Sequence, residues 1–482
     1  MHRRTLLLPL IATILLSALA SPTLAQRIWE KTSFPAQSLQ SAIGAIVAHP
    51  TDPDTIFVAT SNQPALTGST VGPGDGLFVT TDQGDTWGTL NDGVFLTQYN
   101  ILSLAICAAD PDVLYAGTIE AGIFKTVNGG QTWSNVSGGL QYGGGGFPNP
   151  NWGVTAIAVD PTNPDKVYVS VAQVAGLDIT NFEPDHPGFF YSHDGGSTWT
   201  ENNSGLPPRS DSASDGQSRT AVAGSIVIPP QRPTAILLGM LDVHVNTELF
   251  ANRNASTDGK IFANLQSGTG VFNAVNAGLP TGITQGPEVG FSLGRVSTST
   301  MLLSVSTGPE LNLWASHVGF TLDAGLSDTL SVVRNRGLFF TRNGNWQERN
   351  SGLPFIPSWT DPASAPGNTV RYENTYNMGT VAIAPGSFNE GCLVGALRSD
   401  MGNAASNDTK IYATKQSGLP NWLKNWDQGL DTSPTLGYTE ANAGTLVINA
   451  NTRMAFAQVR WSDDVDATPS DDDDGIYRVT LR

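Results

Sequence analysis

Four carboxylates, Asp185, Glu248, Glu310 and Glu373, fall in long connecting segments where two acids can face each other across a bound molecule. Glycosidic-bond hydrolysis needs such a pair: one group protonates the leaving oxygen while the other attacks or activates water. The same class of segment carries Trp314, Trp359 and Tyr372, whose rings can stack, and Arg371, whose forked guanidinium can grip a polar ligand. An acidic run near the C-terminus includes Asp463, Asp464, Asp466 and Asp471. Clustered carboxylates are hard ligands of the kind Ca²⁺ takes, although the run lacks the Gly and Glu placement of an EF-hand loop. A solvated acidic loop is its first reading and Ca²⁺ ligation the alternative. The six histidines show no His-x-Glu or His-Glu-x-x-His spacing, so no zinc site is expected.

The elements that must position these groups come from a repeated phrase. Thr80 to Trp87 reads TTDQGDTW, Thr126 to Trp133 reads TVNGGQTW, and Ser192 to Trp199 reads SHDGGSTW. A shortened copy spans Thr341 to Trp346. Each follows a Gly-apolar-aromatic run, the pattern of a strand entering a tight turn. The acidic or amide residue of each copy, Asp82, Asn128, Asp194 and Asn343, is expected to accept hydrogen bonds from the turn's own amides while Gly supplies positive φ. These positions are therefore read as turn staples and not as catalysts, because a staple recurs in every repeat.

The phrase resembles the Asp-box, or BNR, repeat of sialidases, sortilin-type domains and xyloglucan-degrading hydrolases. That resemblance implies a β-propeller with the box between the third and fourth strand of each blade, and says little of activity. Sialidases should also show an Arg-Ile-Pro segment and two further arginines near the first blades, but after Arg27 the first two repeats contain no arginine. The xyloglucan hydrolases use two facing propellers, and this chain has material for one. Sortilin-type receptors add a Cys-rich module and a membrane span, and neither is found here. Photosynthetic assembly factors with a similar propeller carry a basic patch that is not evident. No family's active residues transfer.

Asp-Pro turns between apolar runs, as at Asp52-Pro53, Asp110-Pro111 and Asp160-Pro161, mark the inner hairpins of the same repeat. Third strands are predicted near positions 76, 122, 188, 259, 337, 409 and 475. The last has no fourth strand after it, whereas residues 27–35 imitate the segment after the third box. The expected fold is therefore all-β: one seven-bladed β-propeller over residues 26–482, built of four-stranded antiparallel blades, with the N-terminal strand closing the last. Residues 1–25 read as a signal peptide, with a basic start, an apolar core and a small-residue exit at Ala25.

The net charge of −17 excludes the basic footprint that nucleic acid needs and disfavours anionic membranes. Cys107 and Cys392 fall on separate repeats and are expected to be buried free thiols. Connections between second and third strands, and several between repeats, are long and dissimilar, while the others are short. Both long classes emerge at one end of a four-stranded unit, where function is expected to reside. The leading expectation is a secreted or periplasmic, monomeric, non-catalytic propeller that binds a glycan or an extracellular protein through that end. The alternative is an extracellular glycoside hydrolase using a pair of the loop carboxylates.

Overall fold

Asp52 shows how a unit of this chain begins. Its carboxylate accepts the Asp54 amide at 3.0 Å and the Thr55 hydroxyl at 2.6 Å, turning the chain between two strands, Ala42–Ala48 and Ile56–Ser61. Two more antiparallel strands, Leu77–Thr80 and Gly88–Thr89, complete a four-stranded sheet in sequence order. The computed structural model describes residues 28–35, 42–61, 74–90, 99–142, 145–146, 149–173, 188–206, 222–242, 261–279, 298–305, 313–317, 320–323, 330–334, 337–341, 345–353, 355–360, 369–376, 381–383, 392–395, 411–414, 441–449, 454–461 and 475–480. Among them there is no helix, and so none long and apolar enough to cross a membrane. The predicted leader lies outside the described residues.

The four-strand order recurs as Ile101–Ile106, Leu114–Glu120, Ile123–Thr126 and Ser134–Asn135, then as Asn149–Asp160, Asn163–Gln173, Phe189–Ser192 and Thr200–Glu201. A fourth unit comprises Val222–Val227, Ile236–Asp242, Ile261–Asn264 and Asn273–Ala274. A fifth comprises Thr298–Val305, Leu313–His317, Gly337–Thr341 and Gln347–Glu348. Val381–Ile383, Cys392–Gly395 and Ile411–Thr414 form a three-stranded sheet, and Ala441–Asn449, Met454–Trp461 and Gly475–Thr480 follow.

The N-terminal strand Glu30–Lys31 completes that final group: Glu30 pairs with Arg478 and Lys31 with Tyr477. The next residues continue across to the first unit, with the Thr32 amide donating to the Ile476 carbonyl at 2.9 Å and the Ser33 amide to the Gly84 carbonyl at 3.0 Å.

Hydrogen bonding does not divide the chain into seven separate four-stranded sheets, as the sequence predicts. Among the described residues it gives three four-stranded sheets, two eight-stranded, one three-stranded and one two-stranded. The second and third units fuse because Asn149–Asp160 extends backward to pair Asn149 with Glu120 and Gly153 with Ile119. The fourth and fifth fuse through Leu241–Ser299 and Asp242–Thr298.

Inner strands share a second feature. Their register with the following strand slips between Ile43 and Ala45, Ile101 and Ser103, Val154 and Ala156, Ala223 and Ser225, and Leu302 and Ser304. A bulge at one height in successive units sharpens the local twist. It also lets the inner strands bond sideways: the Ser103 hydroxyl donates to the Val154 carbonyl at 2.9 Å, and the Thr155 hydroxyl to the Ala223 carbonyl at 2.9 Å.

The apolar core sits between neighbouring units. Ile56, Val58 and Phe78 of the first sheet pack with Phe34, just past the N-terminal strand, and with Phe456 and Ile476 of the closing sheet. Phe57 and Leu77 pack with Leu114 and Phe124 of the second unit, and Tyr168 and Phe189 of the third with Ile236 and Phe262 of the fourth. Sheets packed face to neighbouring face, with the last completed by the first strand, make a β-propeller-like arrangement.

The long segments 306–336 and 354–378, expected to be loops, hold a sheet of their own. Phe320–Asp323, Leu330–Arg334, Thr369–Tyr376 and Phe355–Thr360 form it in that spatial order. Leu330–Arg334 runs parallel to Thr369–Tyr376, with Leu330 opposite Thr369, while the other two pairings are antiparallel.

Candidate functional site

The repeated turns are closed on themselves. Asp82 accepts the Thr80 hydroxyl at 2.7 Å, the Thr86 amide at 2.8 Å and the Thr86 hydroxyl at 2.6 Å. Asp194 accepts Ser192, the Thr198 amide and the Thr198 hydroxyl at 2.7, 2.8 and 2.6 Å. Asn128 repeats the geometry with an amide, its oxygen accepting Thr126 and the Thr132 amide while its nitrogen donates to the Thr132 hydroxyl at 2.8 Å. The donated hydrogen bonds, the Thr86 and Thr198 hydroxyls foremost, hold the Asp82 and Asp194 carboxyls down at about 2. A carboxylate ionised that firmly is a poor proton donor near neutral pH. These acids hold turns.

A fourth turn of this kind was not legible as such. Asn264 stands where the others have Ser or Thr, and its side-chain oxygen accepts the Gln266 and Gly268 amides at 2.9 and 3.1 Å. Phe272, buried, occupies the Trp position. The signal was the Gly268 spacing, obscured by replacement of both end residues. Asn343 lies outside the described residues.

The tryptophans of two turns stitch units together. The Trp199 indole donates to the Val136 carbonyl and that of Trp346 to the Val275 carbonyl, each at 2.7 Å. Trp133 donates instead to Gly130 of its own turn at 3.0 Å.

Trp314, expected in a loop as a stacking platform, is instead in the second strand of the fifth unit. It is 3% exposed, with its ring 5.0 Å from that of Phe340. The apolar-polar alternation of Leu313-Trp314-Ala315-Ser316 reads as a half-buried strand, and burial removes the ring from any ligand. Asp185, Glu248, Glu310, Asp463, Asp464, Asp466 and Asp471 lie outside the described residues. Among the described residues no group of three His, Cys, Asp or Glu side chains gathers as metal ligands do. Cys107 is buried and free, and its thiol donates to the Asp160 carbonyl at 3.4 Å. Burial pushes that thiol up from its ordinary value.

The remaining candidates, Trp359, Arg371, Tyr372 and Glu373, share the inserted sheet. Trp359 is opposite Tyr372, Thr360 opposite Arg371, and Ser358 opposite Glu373. Directly opposed residues share a face and neighbours along a strand alternate. The pairing therefore places Trp359 and Tyr372 on one face and Arg371 and Glu373 on the other.

The sheet's two excursions leave the fifth unit at one end. His317 pairs with Gly337, and the side chain of Asn350, past the fourth strand, accepts the Leu338 amide at 2.6 Å. Both long connections thus begin beside the same edge, which is why they can pair with each other.

No protein-family model matches the chain. A xyloglucanase of Hypocrea jecorina is 32% identical over 91 residues, 19% of this chain and 10% of that protein. An oligoxyloglucan-reducing end-specific xyloglucanase of Emericella nidulans is 29% identical over 142 residues, 28% of this chain and 16% of the relative. A probable enzyme of the same description from Neosartorya fischeri is 27% identical over 161 residues, 32% and 17% of the two chains. The matched segments thus span less than a fifth of each relative's length. Among solved structures, the chain is similar to YCF48 bound to D1 peptide, with a TM-score of 0.46, 11% identity and coverage of 96% of this chain and 97% of that one. It is similar to a GH74 enzyme of Niastella koreensis at a TM-score of 0.39 and 14% identity, covering 88% and 64%.

Proposed function

We propose that this chain is an exported, monomeric β-propeller of the Asp-box type that hydrolyses a polysaccharide at the end from which its long connections emerge. The observation that carries the reading is the sequence similarity to three xyloglucanases over parts of the chain. The self-contained turn staples, the closing N-terminal strand and the apolar leader are in keeping with it. Hydrolysis requires two carboxyl groups flanking the bond, roughly 5–10 Å apart. Asp185, Glu248, Glu310 and Glu373 are the proposed source of that pair.

A non-catalytic propeller that binds a glycan, or an extracellular protein, is the second reading. What favours it is that the matched segments reach at most 17% of the relatives' lengths, so their activity rests on much that is unmatched here.

The test is release of reducing ends from xyloglucan and other neutral β-glucans by the chain lacking residues 1–25. Hydrolysis abolished by one or two of Asp185→Asn, Glu248→Gln, Glu310→Gln and Glu373→Gln supports the first reading. Binding without turnover supports the second. Neither binding nor turnover with any polysaccharide overturns both as far as glycans are concerned, leaving a protein partner.

A further inference from the structure

His49 stands where the inner strand of the first unit, Ala42–Ala48, gives way to its turn. Its amide donates to the Thr55 carbonyl at 3.0 Å, closing a turn that runs through Pro50 and Pro53. Proline has no N–H, so between His49 and Thr55 the turn holds three amides, those of Thr51, Asp52 and Asp54. The Asp54 amide goes to the Asp52 carboxylate at 3.0 Å. The other two go to one atom: His49 Nδ1 accepts the Thr51 amide at 3.2 Å and the Asp52 amide at 2.7 Å. A ring nitrogen that accepts N–H groups carries no hydrogen of its own, so this imidazole is neutral with its proton on Nε2.

The same turn meets the seam of the ring. The Asn449 side chain of the closing sheet donates to the Pro53 carbonyl at 3.0 Å. The Gln83 amide of the first repeated turn donates to the Asp54 carbonyl at 3.0 Å, and Arg478 of the last strand donates to the Gln83 carbonyl at 2.7 Å. At the matching place in the second and third units the chain has Cys107 and Asp160, since Ala48–Ile56, Ile106–Leu114 and Val159–Val167 are corresponding pairs. Asp160 plays the same part with a carboxylate, accepting the Thr162 amide at 2.8 Å. Of these three side chains, imidazole is the one that ordinarily changes charge between about pH 8 and pH 5.

We propose that His49 is an acid-operated latch on the seam between the first unit and the closing sheet. Protonation puts a hydrogen on Nδ1, which then opposes the Thr51 and Asp52 amides instead of accepting them. The imidazolium turns toward Asp52 of its own turn and Asp112 of the second unit, the acids whose charges act on it. Asp54, the turn's third acid, is engaged by the Gln83 side chain. The segment from Pro50 to Pro53 loses the bonds that set its shape, and the carbonyls that receive Asn449 and Gln83 lose their fixed positions.

Burial holds the His49 ring below its ordinary value, outweighing Asp52 and Asp112, which pull it up. A histidine lowered in the folded chain stabilises fully above about pH 6.5, and that share is lost as pH falls through the folded value. The release begins at higher pH than the loss at Asp82 and Asp194, whose carboxyls are held at about 2.

Hydrogen exchange read by mass spectrometry tests this on the chain lacking residues 1–25, at about pH 7.5 and about pH 5, with rates corrected for intrinsic pH dependence. Peptides covering 50–56, 28–34 and 475–480 should exchange several-fold faster at the lower pH, while 163–173 of the third unit should not change. His49→Asn keeps an acceptor oxygen that does not titrate, so it should match the wild type at the higher pH and lose the acceleration. Unchanged exchange at 50–56 in the wild type overturns the latch, and so does acceleration that persists in His49→Asn. Nitrogen NMR of the wild-type histidine rings needs no variant: a chain in which every histidine has its hydrogen on Nδ1 at the higher pH overturns it too. Acceleration at 50–56 with none at 28–34 and 475–480 overturns the link to the seam.

Discussion

Arg478, on the last strand, holds Asp85, in the first repeated turn, with an Nη2–Oδ1 distance of 2.7 Å. The same guanidinium donates to the Gln83 carbonyl at 2.7 Å and has Glu30 of the closing strand at 3.7 Å. One side chain thus ties together the N-terminal strand, the C-terminal strand and the first unit. Asp85 and Glu30 are largely exposed, so the ionic part is weak and screened by salt. Asp85→Asn should cost under about 1 kcal/mol. Arg478→Ala also removes the carbonyl bond and the packing of the arginine stem, and should cost about 1–2 kcal/mol. Urea midpoints at constant m, with and without added salt, measure both.

Trp29 carries the apolar share of the same closure. It is 2% exposed and clusters with Ile411, Leu446, Ala457 and Tyr477. Trp29→Ala should destabilise by about 3–5 kcal/mol. A thermal unfolding series should rank it well below Ile28→Ala, whose side chain is 48% exposed.

Acid should loosen the repeated turns. Asp82 and Asp194 are held at about 2 in the folded chain, below the roughly 3.9 of an unfolded aspartate. A depressed folded value means that their contribution is complete above about pH 4 and is lost as pH falls toward 2. Asn128 makes the equivalent bonds without charge, so Asp82→Asn with Asp194→Asn should be tolerated at neutral pH. The double variant should show a shallower fall in melting temperature between pH 4 and pH 2.

Gly205 and Gly278 admit no side chain. Gly205 has φ of 82° and a Cβ there would overlap the Phe272 carbonyl; Gly278 has φ of 88° and a Cβ would overlap the Trp346 carbonyl. Both join one unit's outer edge to the next. Alanine at either should cost more than about 2 kcal/mol. Gly138→Ala, where a Cβ meets nothing within 4 Å, should change stability by under about 0.5 kcal/mol. Chemical denaturation of the three variants makes the comparison.

Local chemistry made the scaffold readable. Asp-Pro turns and Gly-apolar-aromatic runs announce themselves because turn and strand each need particular residue types, and the third strands start at Leu77, Ile123, Phe189, Ile261, Gly337, Ile411 and Gly475. The pairing of Glu30 with Arg478 was legible because residues 27–35 imitate an outer strand found elsewhere in the chain. Pairings between units were not, since nothing local to Asn149 says that Glu120 will be its partner. The inserted sheet was missed for the same reason: Leu330–Arg334 and Thr369–Tyr376 pair in parallel across distant sequence, with no turn to mark them. Trp314 was misassigned because its strand was taken as part of the long connection that follows it. At the site, residue types were readable, but which of them share a face depended on register.

The closing pair also imposes an order on folding. Glu30 is made well before its partner Arg478, so the final sheet cannot gain its outer member until Gly475–Thr480 exists. Until then the Glu30–Lys31 segment waits without its seat. Molecules interrupted before Arg478 would carry an orphaned first strand, available to any unfinished copy nearby.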